Sequence, residues 1–189
     1  MAEQYILKNK HCVVTIEEIP PDRWNADAYN KMYNPANYKR NDFTKAFSVH
    51  IDLCGREITL AIIGSHLSFI DDCALLEDDV LTVMMNEQFF KINILDGTVI
   101  NYKTLDIFGS NFAIFKIDQG YVVYGEIDIL FLDENFEKKA SFSGRDIFVS
   151  ISGKNPFTLT KNTVQLYDFE DNFYEVDFNG NVIREEQAQ

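Results

Sequence analysis

Short apolar runs separated by short polar turns fill the chain from residue 47 onward, and this pattern is typical of antiparallel strands. No long stretch of helical periodicity interrupts them, so the helical crossovers of a parallel sheet are not expected. The strands that the pattern predicts are 47–53, 57–63, 67–70, 80–85, 88–95, 98–102, 112–117, 120–124, 127–132, 136–142, 147–151, 163–167, 172–177 and 181–184. The sequence therefore predicts an all-β fold of antiparallel meanders.

Three strand-turn-strand units, at 89–100, 129–136 and 173–183, recur within this region. Their turns fall at Asp96-Gly97, Glu134-Asn135 and Asn179-Gly180. Residues of these types tolerate positive φ and reverse a strand tightly. Another predicted strand pair precedes each unit, at 75–85, 113–124 and 157–167. Each repeat therefore predicts a four-stranded antiparallel meander.

The repeats over residues 68–186 resemble the blades of β-propellers of the WD or quinoprotein type, whose period is about 40 to 45 residues. The resemblance implies a propeller-like architecture. It carries no family function, because the Trp-Asp and Gly-His dipeptides of WD repeats and the tryptophan docking pattern of quinoproteins are missing. With the strands of 47–70 the chain holds at most four blades, which is the smallest number that common closed propellers have. The alternatives to a closed propeller are an open propeller-like fan and a twisted sandwich.

The N-terminal residues, 1–46, follow a different pattern. Residues 5–18 predict one strand or two, which Pro20-Pro21 ends. Between residues 22 and 33 the apolar positions fall at helical spacing, with Asn25 as a cap and Asn34-Pro35 as the end, which predicts one short amphipathic helix. A polar loop follows over 34–42. We expect this segment to cover a strand edge of residues 47–189 within one domain spanning 1–189.

Composition agrees with this fold class. Hydrophobic residues make up 46% of the 189 residues, and the 16 Phe and 9 Tyr suit half-buried sheet surfaces. The three cysteines do not form a disulfide framework, so we expect reduced thiols. The first residues lack the apolar run of a secretory signal, and no stretch approaches the roughly 20 apolar residues of a membrane span. We expect a cytoplasmic protein.

The charge is distributed unevenly along the chain. Its formal net value is −13; residues 1–47 hold seven basic and six acidic side chains, and the remainder holds ten basic and 24 acidic ones. Such a surface repels phosphate groups, so neither nucleic acid nor an anionic membrane is an expected partner. It is compatible with a basic protein, whose approach it would steer, and equally with carboxylates that only maintain solubility.

Few residues are arranged for catalysis or metal binding. His11 and Cys12 are neighbours whose side chains leave a strand on opposite faces, and the chain has no Cys-x-x-Cys or His-x-x-x-His spacing. Its serines lie in no Gly-x-Ser-x-Gly elbow, and its nine glycines are scattered singly rather than grouped in a phosphate loop. We therefore expect no metal and no cofactor, and the sequence identifies no catalytic residue.

The densest acidic cluster lies between residues 71 and 79. Its candidate binding residues are Asp71, Asp72, Asp78 and Asp79, with Glu77 between them. Two of these carboxylates could act as an acid and a base on a sugar. They also flank an apolar strand, where solvated turn residues are expected.

Aromatic residues form a second candidate, in the N-terminal segment. Trp24, Tyr29 and Tyr33, followed by Tyr38, lie among the few basic residues of the chain. Tyrosine and tryptophan are enriched at protein interfaces, because the ring is buried while its polar end stays hydrated. These side chains form either a recognition surface or part of the core beneath the covering segment.

Two functional hypotheses follow. The first is a non-enzymatic, acidic protein-interaction module that binds a basic protein partner, as an immunity protein does when it neutralises a basic toxin. The alternative is a carbohydrate-active or other hydrolytic domain that uses carboxylates of the 71–79 cluster. The absence of catalytic motifs favours the first.

Overall fold

The computed structural model describes residues 4–20, 25–39 and 44–188. These residues form two compact units, 1–106 and 107–189. The single-domain organisation stays a prediction, and the boundary between the two units differs from the division at residue 46 that the sequence suggests.

Unit 1 begins with a five-stranded sheet, which we call sheet I. Its strands are β1 (Gln4–Lys8), β2 (Val13–Glu18), β3 (Lys31–Tyr33), β4 (Thr44–Leu53) and β5 (Arg56–Ser65). They lie in the order β1-β2-β4-β5-β3, and every pair is antiparallel except β3 with β5. Alternation sets the faces: Val14 and Ile16 are fully buried opposite Ile51 and Val49 of β4.

The second sheet of unit 1, sheet II, is a meander. Its strands are β6 (Ala74–Glu77), β7 (Val80–Met85), β8 (Gln88–Asn93) and β9 (Thr98–Thr104), in consecutive order. The core of unit 1 joins Phe47, Leu60 and Ile62 of sheet I to Phe90 and Ile92 of sheet II, all fully buried. Burial of these apolar side chains, at about 25 cal/mol per Å², stabilises the unit.

Unit 2 consists of two further meanders. Sheet III contains β10 (Asn111–Ile117), β11 (Gly120–Gly125), β12 (Asp128–Leu132) and β13 (Lys138–Ser143), and sheet IV contains β14 (Phe157–Leu159), β15 (Thr163–Tyr167), β16 (Phe173–Asp177) and β17 (Val182–Glu186). Its core joins Phe131 and Phe148 to Val164, Leu166 and Tyr174. The three repeats that the sequence predicts are thus confirmed as three four-stranded antiparallel sheets.

The prediction of a short N-terminal helix is wrong. Residues 22–24 lie outside the described residues, and the rest of the segment holds one 3-10 turn, Ala26–Ala28, followed by the extended strand β3. The segment does pair with a sheet edge, because β3 runs parallel to β5.

Competing hydrogen bonds explain the missing helix. The side chain of Asn25 accepts from the N–H of Asp27 at 3.1 Å, which closes a single turn. Asn30 then bonds to β5, since its N–H donates to the Thr59 carbonyl at 2.8 Å and its side chain accepts from the Thr59 N–H at 2.7 Å. A helix this short is marginal in water, so the unpaired edge of β5 captures the chain.

Aspartate-capped turns connect three strand pairs of unit 2. Asp133, Asp168 and Asp177 each accept hydrogen bonds, at 2.8 to 3.1 Å, from the backbone N–H groups two and four residues later. The residue three positions later has positive φ in every case, and these residues are Phe136 (64°), Asp171 (66°) and Gly180 (81°). The same local geometry therefore reverses the chain three times.

One detail of these turns differs from the sequence expectation. The turn at Glu134-Asn135 is present, but the residue with positive φ is Phe136. A bulky residue rarely adopts this conformation. Phe136 is fully buried, and its ring lies 5.3 Å from that of Tyr121, so packing stabilises the strained backbone.

We expect replacement of Gly120 to destabilise unit 2 strongly. This residue has φ of 139°, and an added Cβ would lie 2.1 Å from the carbonyl oxygen of Leu132. Gly120→Ala should lower the free energy of unfolding, measured by urea titration, by about 3 kcal/mol or more. The matched control is Gly153→Ala, where φ is also positive (85°) but no atom lies within 4 Å, and we expect a loss of about 1 kcal/mol. Equal losses in the two variants would contradict the close approach at Gly120.

We predict that the protein loses stability in acid as the capping aspartates Asp133 and Asp177 become protonated. Hydrogen bonds from the backbone of Glu137 lower the pKa of Asp133, and hydrogen bonds from the side chain and backbone of Asn181 lower that of Asp177. Because the folded-state pKa lies below the ordinary value of 3.8, this stabilisation is present above that pH and is lost as the pH falls further.

Asp177→Asn should therefore reduce the slope of unfolding free energy against pH below about pH 4. Asp177→Ala, which removes the acceptor, should in addition cost about 1 kcal/mol at pH 7. Urea titrations between pH 2.5 and 7 would measure both effects. An unchanged acid slope in Asp177→Asn would exclude the cap as its source.

Candidate functional site

The acidic cluster of residues 71–79 is divided by a strand. Asp71 and Asp72 precede β6, whereas Asp78 and Asp79 form the turn between β6 and β7, and all four are exposed. A four-residue strand is about 13 Å long. That length exceeds the roughly 5 to 9.5 Å that separate the two carboxyl groups of glycosidases, so an aspartate before β6 and one after it are too far apart to form such a pair.

Two of these aspartates also contact the N-terminal hairpin. The Tyr5 hydroxyl donates to Asp72 Oδ1 at 3.2 Å, and Asn9 Nδ2 donates to the main-chain carbonyl of Asp78 at 2.8 Å. Burial and the nearby Asp72 carboxylate raise the pKa of Tyr5, so its hydroxyl stays a donor at neutral pH. The acidic turns on either side of β6 are therefore held in place by sheet I.

The predicted aromatic residues that the structure describes do not all share one surface, because Tyr29 and Tyr38 pack against one cluster and Tyr33 against another. Trp24 lies outside the described residues. Tyr29 packs, half-buried, against the small cluster formed by Ile19, Ala46, Ala61 and Ile63, whereas Tyr33 packs against the main core of unit 1. The roles of Tyr29 and Tyr33 in binding stay predictions, and Tyr33 lines a cavity of unit 1.

Tyr33 lines a pocket of about 290 Å³ between β3 and sheet II. Its lining is mostly apolar and consists of Met32, Tyr33, Asn34, Pro35, Phe90, Val99 and Tyr102, and we call it the aromatic pocket. Phe90 and Tyr102 are directly paired residues of β8 and β9, and their ring centroids lie 4.9 Å apart at an interplanar angle of 48°. Three aromatic side chains therefore surround one opening.

Hydrogen bonds hold the tyrosine rings of the aromatic pocket in position. The Tyr33 hydroxyl donates to the Gly97 carbonyl at 2.6 Å. The Tyr102 hydroxyl accepts from Gln88 Nε2 at 3.2 Å and shares a 2.6 Å hydrogen bond with the Thr104 hydroxyl. Burial raises the pKa of Tyr33, so this phenol is neutral at pH 7. The polar ends of both tyrosines are satisfied within the protein, and their rings are fixed.

A carboxylate, Glu87, lies near one side of this pocket. It accepts a hydrogen bond from the hydroxyl of Tyr38, and Tyr38 is close enough to Tyr102 for the two phenols to interact electrostatically. Burial and the bond to Glu87 raise the pKa of Tyr38, so its hydroxyl keeps its proton and donates to the Glu87 side chain.

A second carboxylate, Asp96, lies within electrostatic range of Tyr33. Hydrogen bonds from the side chain and then the backbone of Thr98 lower the pKa of Asp96, so it is ionised at neutral pH. The Lys31 ammonium donates to the main-chain carbonyl of Asp96 at 2.9 Å. The pocket is thus apolar inside and has acidic groups in its surroundings.

Most lining residues of the aromatic pocket were not predicted from the sequence. The turn at Asp96-Gly97 indicates the hairpin of β8 and β9, but the register that it sets, with Asn93 opposite Thr98, would place Phe90 opposite Asn101. A bulge between Lys91 and Ile92 shifts the partner of Phe90 to Tyr102, and the sequence does not predict this bulge. The contribution of Met32 and Pro35 depends on β3 joining sheet I, which the helical prediction missed.

Unit 2 contains two adjoining clefts of about 370 and 380 Å³. They share Ile117, Gln119 and Phe178, and their rims carry Lys139 and Lys161. No residue that the sequence singles out for binding lies in these clefts.

The structure offers no metal ligands in the part of the chain that it describes. No three His, Cys, Asp or Glu side chains there converge on one point. Within the same residues, no helix has the length and apolarity that crossing a bilayer requires.

Comparisons with known proteins give a fold and no family. A scan against protein-family models and a search of curated proteins both return no match. Among solved structures, the CNH domain of AfRom2 superposes with a TM-score of 0.51 at 10% identity, over 100% of this chain and 55% of that one.

Two further structures are similar at lower scores. BamB from Moraxella catarrhalis gives a TM-score of 0.45 at 14% identity over 60% of this chain and 36% of that chain, and the Pan2 WD40 domain from Neurospora crassa gives 0.47 at 10% identity over 78% and 47%. This chain therefore spans between about a third and just over half of the length of each of these three structures. The CNH domain is a β-propeller-type fold, and its likeness confirms the predicted fold class.

We predict that one of the three thiols reacts quickly in the folded protein. Cys54 is exposed, whereas Cys12 and Cys73 are buried. Burial raises the pKa of Cys12, and it raises that of Cys73 to about 12, which suppresses the reactive thiolate. Titration with Ellman's reagent at pH 8 should show one fast equivalent, and Cys54→Ser should remove it. Two fast equivalents in the parent protein would contradict the burial of Cys12 or Cys73.

Proposed function

We propose that this chain is a non-enzymatic protein-interaction module that binds a basic protein partner. A basic toxin that the chain neutralises, as an immunity protein does, is one such partner. Propeller-type folds provide rigid surfaces on which unrelated binding sites occur, so the fold is compatible with this role, while the argument for it depends on the charged surface.

The observation that carries the proposal is the set of acidic turns on either side of β6. Asp71, Asp78 and Asp79 are exposed, and no lysine, arginine or histidine of the described ranges pairs with them. Charges that no described cationic side chain neutralises are available to steer and orient a cationic surface.

The wider charge distribution supports the same partner. Each unit is acidic: residues 1–106 hold ten basic and 16 acidic side chains, and residues 107–189 hold seven and 14. A partner of opposite charge would associate faster at low ionic strength, because the attraction between exposed charges is screened within about 10 Å at 0.1 M salt.

Affinity capture at two salt concentrations tests the proposal. The tagged protein would be incubated with lysate of its source cells at 50 mM NaCl and eluted at 500 mM, and the retained proteins identified by mass spectrometry. We expect a basic protein whose binding, re-measured with purified components, weakens at least tenfold between the two concentrations. Binding of equal strength at both concentrations would contradict an electrostatic partner.

Matched charge variants locate the contact. Asp78→Asn with Asp79→Asn should weaken binding about three- to tenfold, since each exposed ion pair contributes at most about 1 kcal/mol. Asn tolerates the positive φ of Asp78 (46°), so the turn should be retained. The control, Asp118→Asn with Glu170→Gln, changes the net charge equally at exposed positions of unit 2. Equal weakening by both pairs would indicate net charge rather than these turns.

A further inference from the structure

We infer that the aromatic pocket of unit 1 binds the side chain of a lysine or arginine, with its alkyl part against the apolar wall and its cationic group at the rings. The identity of the donor as a basic protein partner rests on the proposed function. The preference of the pocket for an alkyl cation depends only on its own geometry.

The size of the aromatic pocket suits a single side chain. Its volume of about 290 Å³ lies at the lower limit of the roughly 300 to 1,000 Å³ that ligand sites occupy. Pro35 and Val99 supply an apolar wall for methylene groups, in the way that lysine and arginine bury their stems while the charged end stays near water. Met32 borders the pocket, but its side chain packs against the small cluster of Ile19, Ala46, Ala61 and Ile63.

The rings of Tyr33 and Tyr102, which are partly exposed, supply the attraction for a positive charge, and the fully buried ring of Phe90 packs against that of Tyr102. The face of an aromatic ring carries partial negative charge and attracts an ammonium or guanidinium group within about 6 Å. Both tyrosine hydroxyls are already bonded inside the protein, so the rings need no rearrangement when a ligand enters. Such preorganisation reduces the entropy lost on binding.

The surrounding charges favour a cation over a neutral apolar ligand. Glu87 accepts a hydrogen bond from Tyr38, and Tyr38 in turn interacts electrostatically with Tyr102 of the pocket. Asp96 lies within electrostatic range of Tyr33, and Lys31 and Arg56 lie within range of Asp96 and offset part of its charge. Lys91 and Lys103 do not oppose a cation, because they alternate with Phe90 and Tyr102 along β8 and β9 and therefore leave sheet II on its other face. The ammonium of Lys31 is bonded to the carbonyl of Asp96.

Side-chain analogues test this inference without a partner. n-Butylammonium and n-propylguanidinium carry the end groups of lysine and arginine, and 1-pentanol is a neutral compound of similar size. Each would be titrated into the full chain at constant ionic strength, and the NMR signals of the Met32 and Val99 methyl groups and of the Tyr33 and Tyr102 rings followed. We expect saturable shifts with both cations and at least threefold weaker binding of 1-pentanol. Equal or tighter binding of 1-pentanol, or no shift with either cation, would overturn the inference.

A matched pair at the rim provides a second test. Pro35 lines the pocket and is exposed, so Pro35→Lys and Pro35→Glu lose the same proline and differ only in charge. We expect Pro35→Lys to weaken binding of the cations at least threefold relative to Pro35→Glu, and to leave 1-pentanol unchanged. Cation affinities that are equal in the two variants would contradict an ionic occupant.

Replacement of the Tyr102 ring tests whether cation binding depends on the aromatic ring itself or only on the shape of the pocket. Tyr102→Phe keeps the ring and Tyr102→Leu removes it, and the second should weaken cation binding about 3- to 30-fold more than the first. The Pro35 pair decides the question if Tyr102→Leu fails to fold.

The proposed function and the inference about the aromatic pocket can be contradicted independently of each other. Capture of a basic partner with equal affinity by Pro35→Lys and Pro35→Glu would overturn the pocket as a contact and leave the proposed function intact. Loss of all salt-sensitive capture, with the cations still bound, would contradict the proposed function and support the cation preference of the pocket.

Discussion

Three strand pairs of unit 2 depend on one local interaction, the carboxylate that accepts backbone N–H groups inside a tight turn. Asp133, Asp168 and Asp177 close their turns in the same way, with a left-handed residue three positions later. A closed turn fixes the register of the strands that it joins. Because a slip of one residue would move every buried side chain to the other face, fixing the register also fixes which residues form the core.

This dependence explains which parts of the fold could be predicted. The three meanders are visible in the sequence because each is set by nearby residues, such as the turn at Asp96-Gly97 and the apolar runs beside it. The N-terminal segment was predicted incorrectly because its conformation depends on a distant strand. Asn30 bonds to Thr59 of β5, and no pattern in the neighbouring sequence indicates this pair of hydrogen bonds. Local propensity gives way where an unpaired strand edge offers hydrogen bonds.

The candidate site follows the same division between local and long-range information. The acidic residues could be identified from the sequence, and so could the apolar strand, β6, that separates them. The aromatic pocket needed two facts that the sequence pattern does not give, the bulge that places Phe90 opposite Tyr102 and the long-range pairing that positions Tyr33 on the edge of β5. Acidic turns and an aromatic pocket act over different ranges: exposed charges orient a partner from about 10 Å, and an aromatic pocket selects one side chain on contact.

The consecutive order of strands in sheets II, III and IV has a consequence for how the protein forms. Each strand of these sheets pairs with the strand next to it along the chain, so pairing requires the closure of only short loops. Short loop closure is fast, and each four-stranded sheet is complete within about 30 residues of chain. Sheet I differs, because β3 reaches β5 across the whole of β4. During synthesis, the later sheets can form almost as soon as their residues emerge, whereas sheet I waits for its long-range pair.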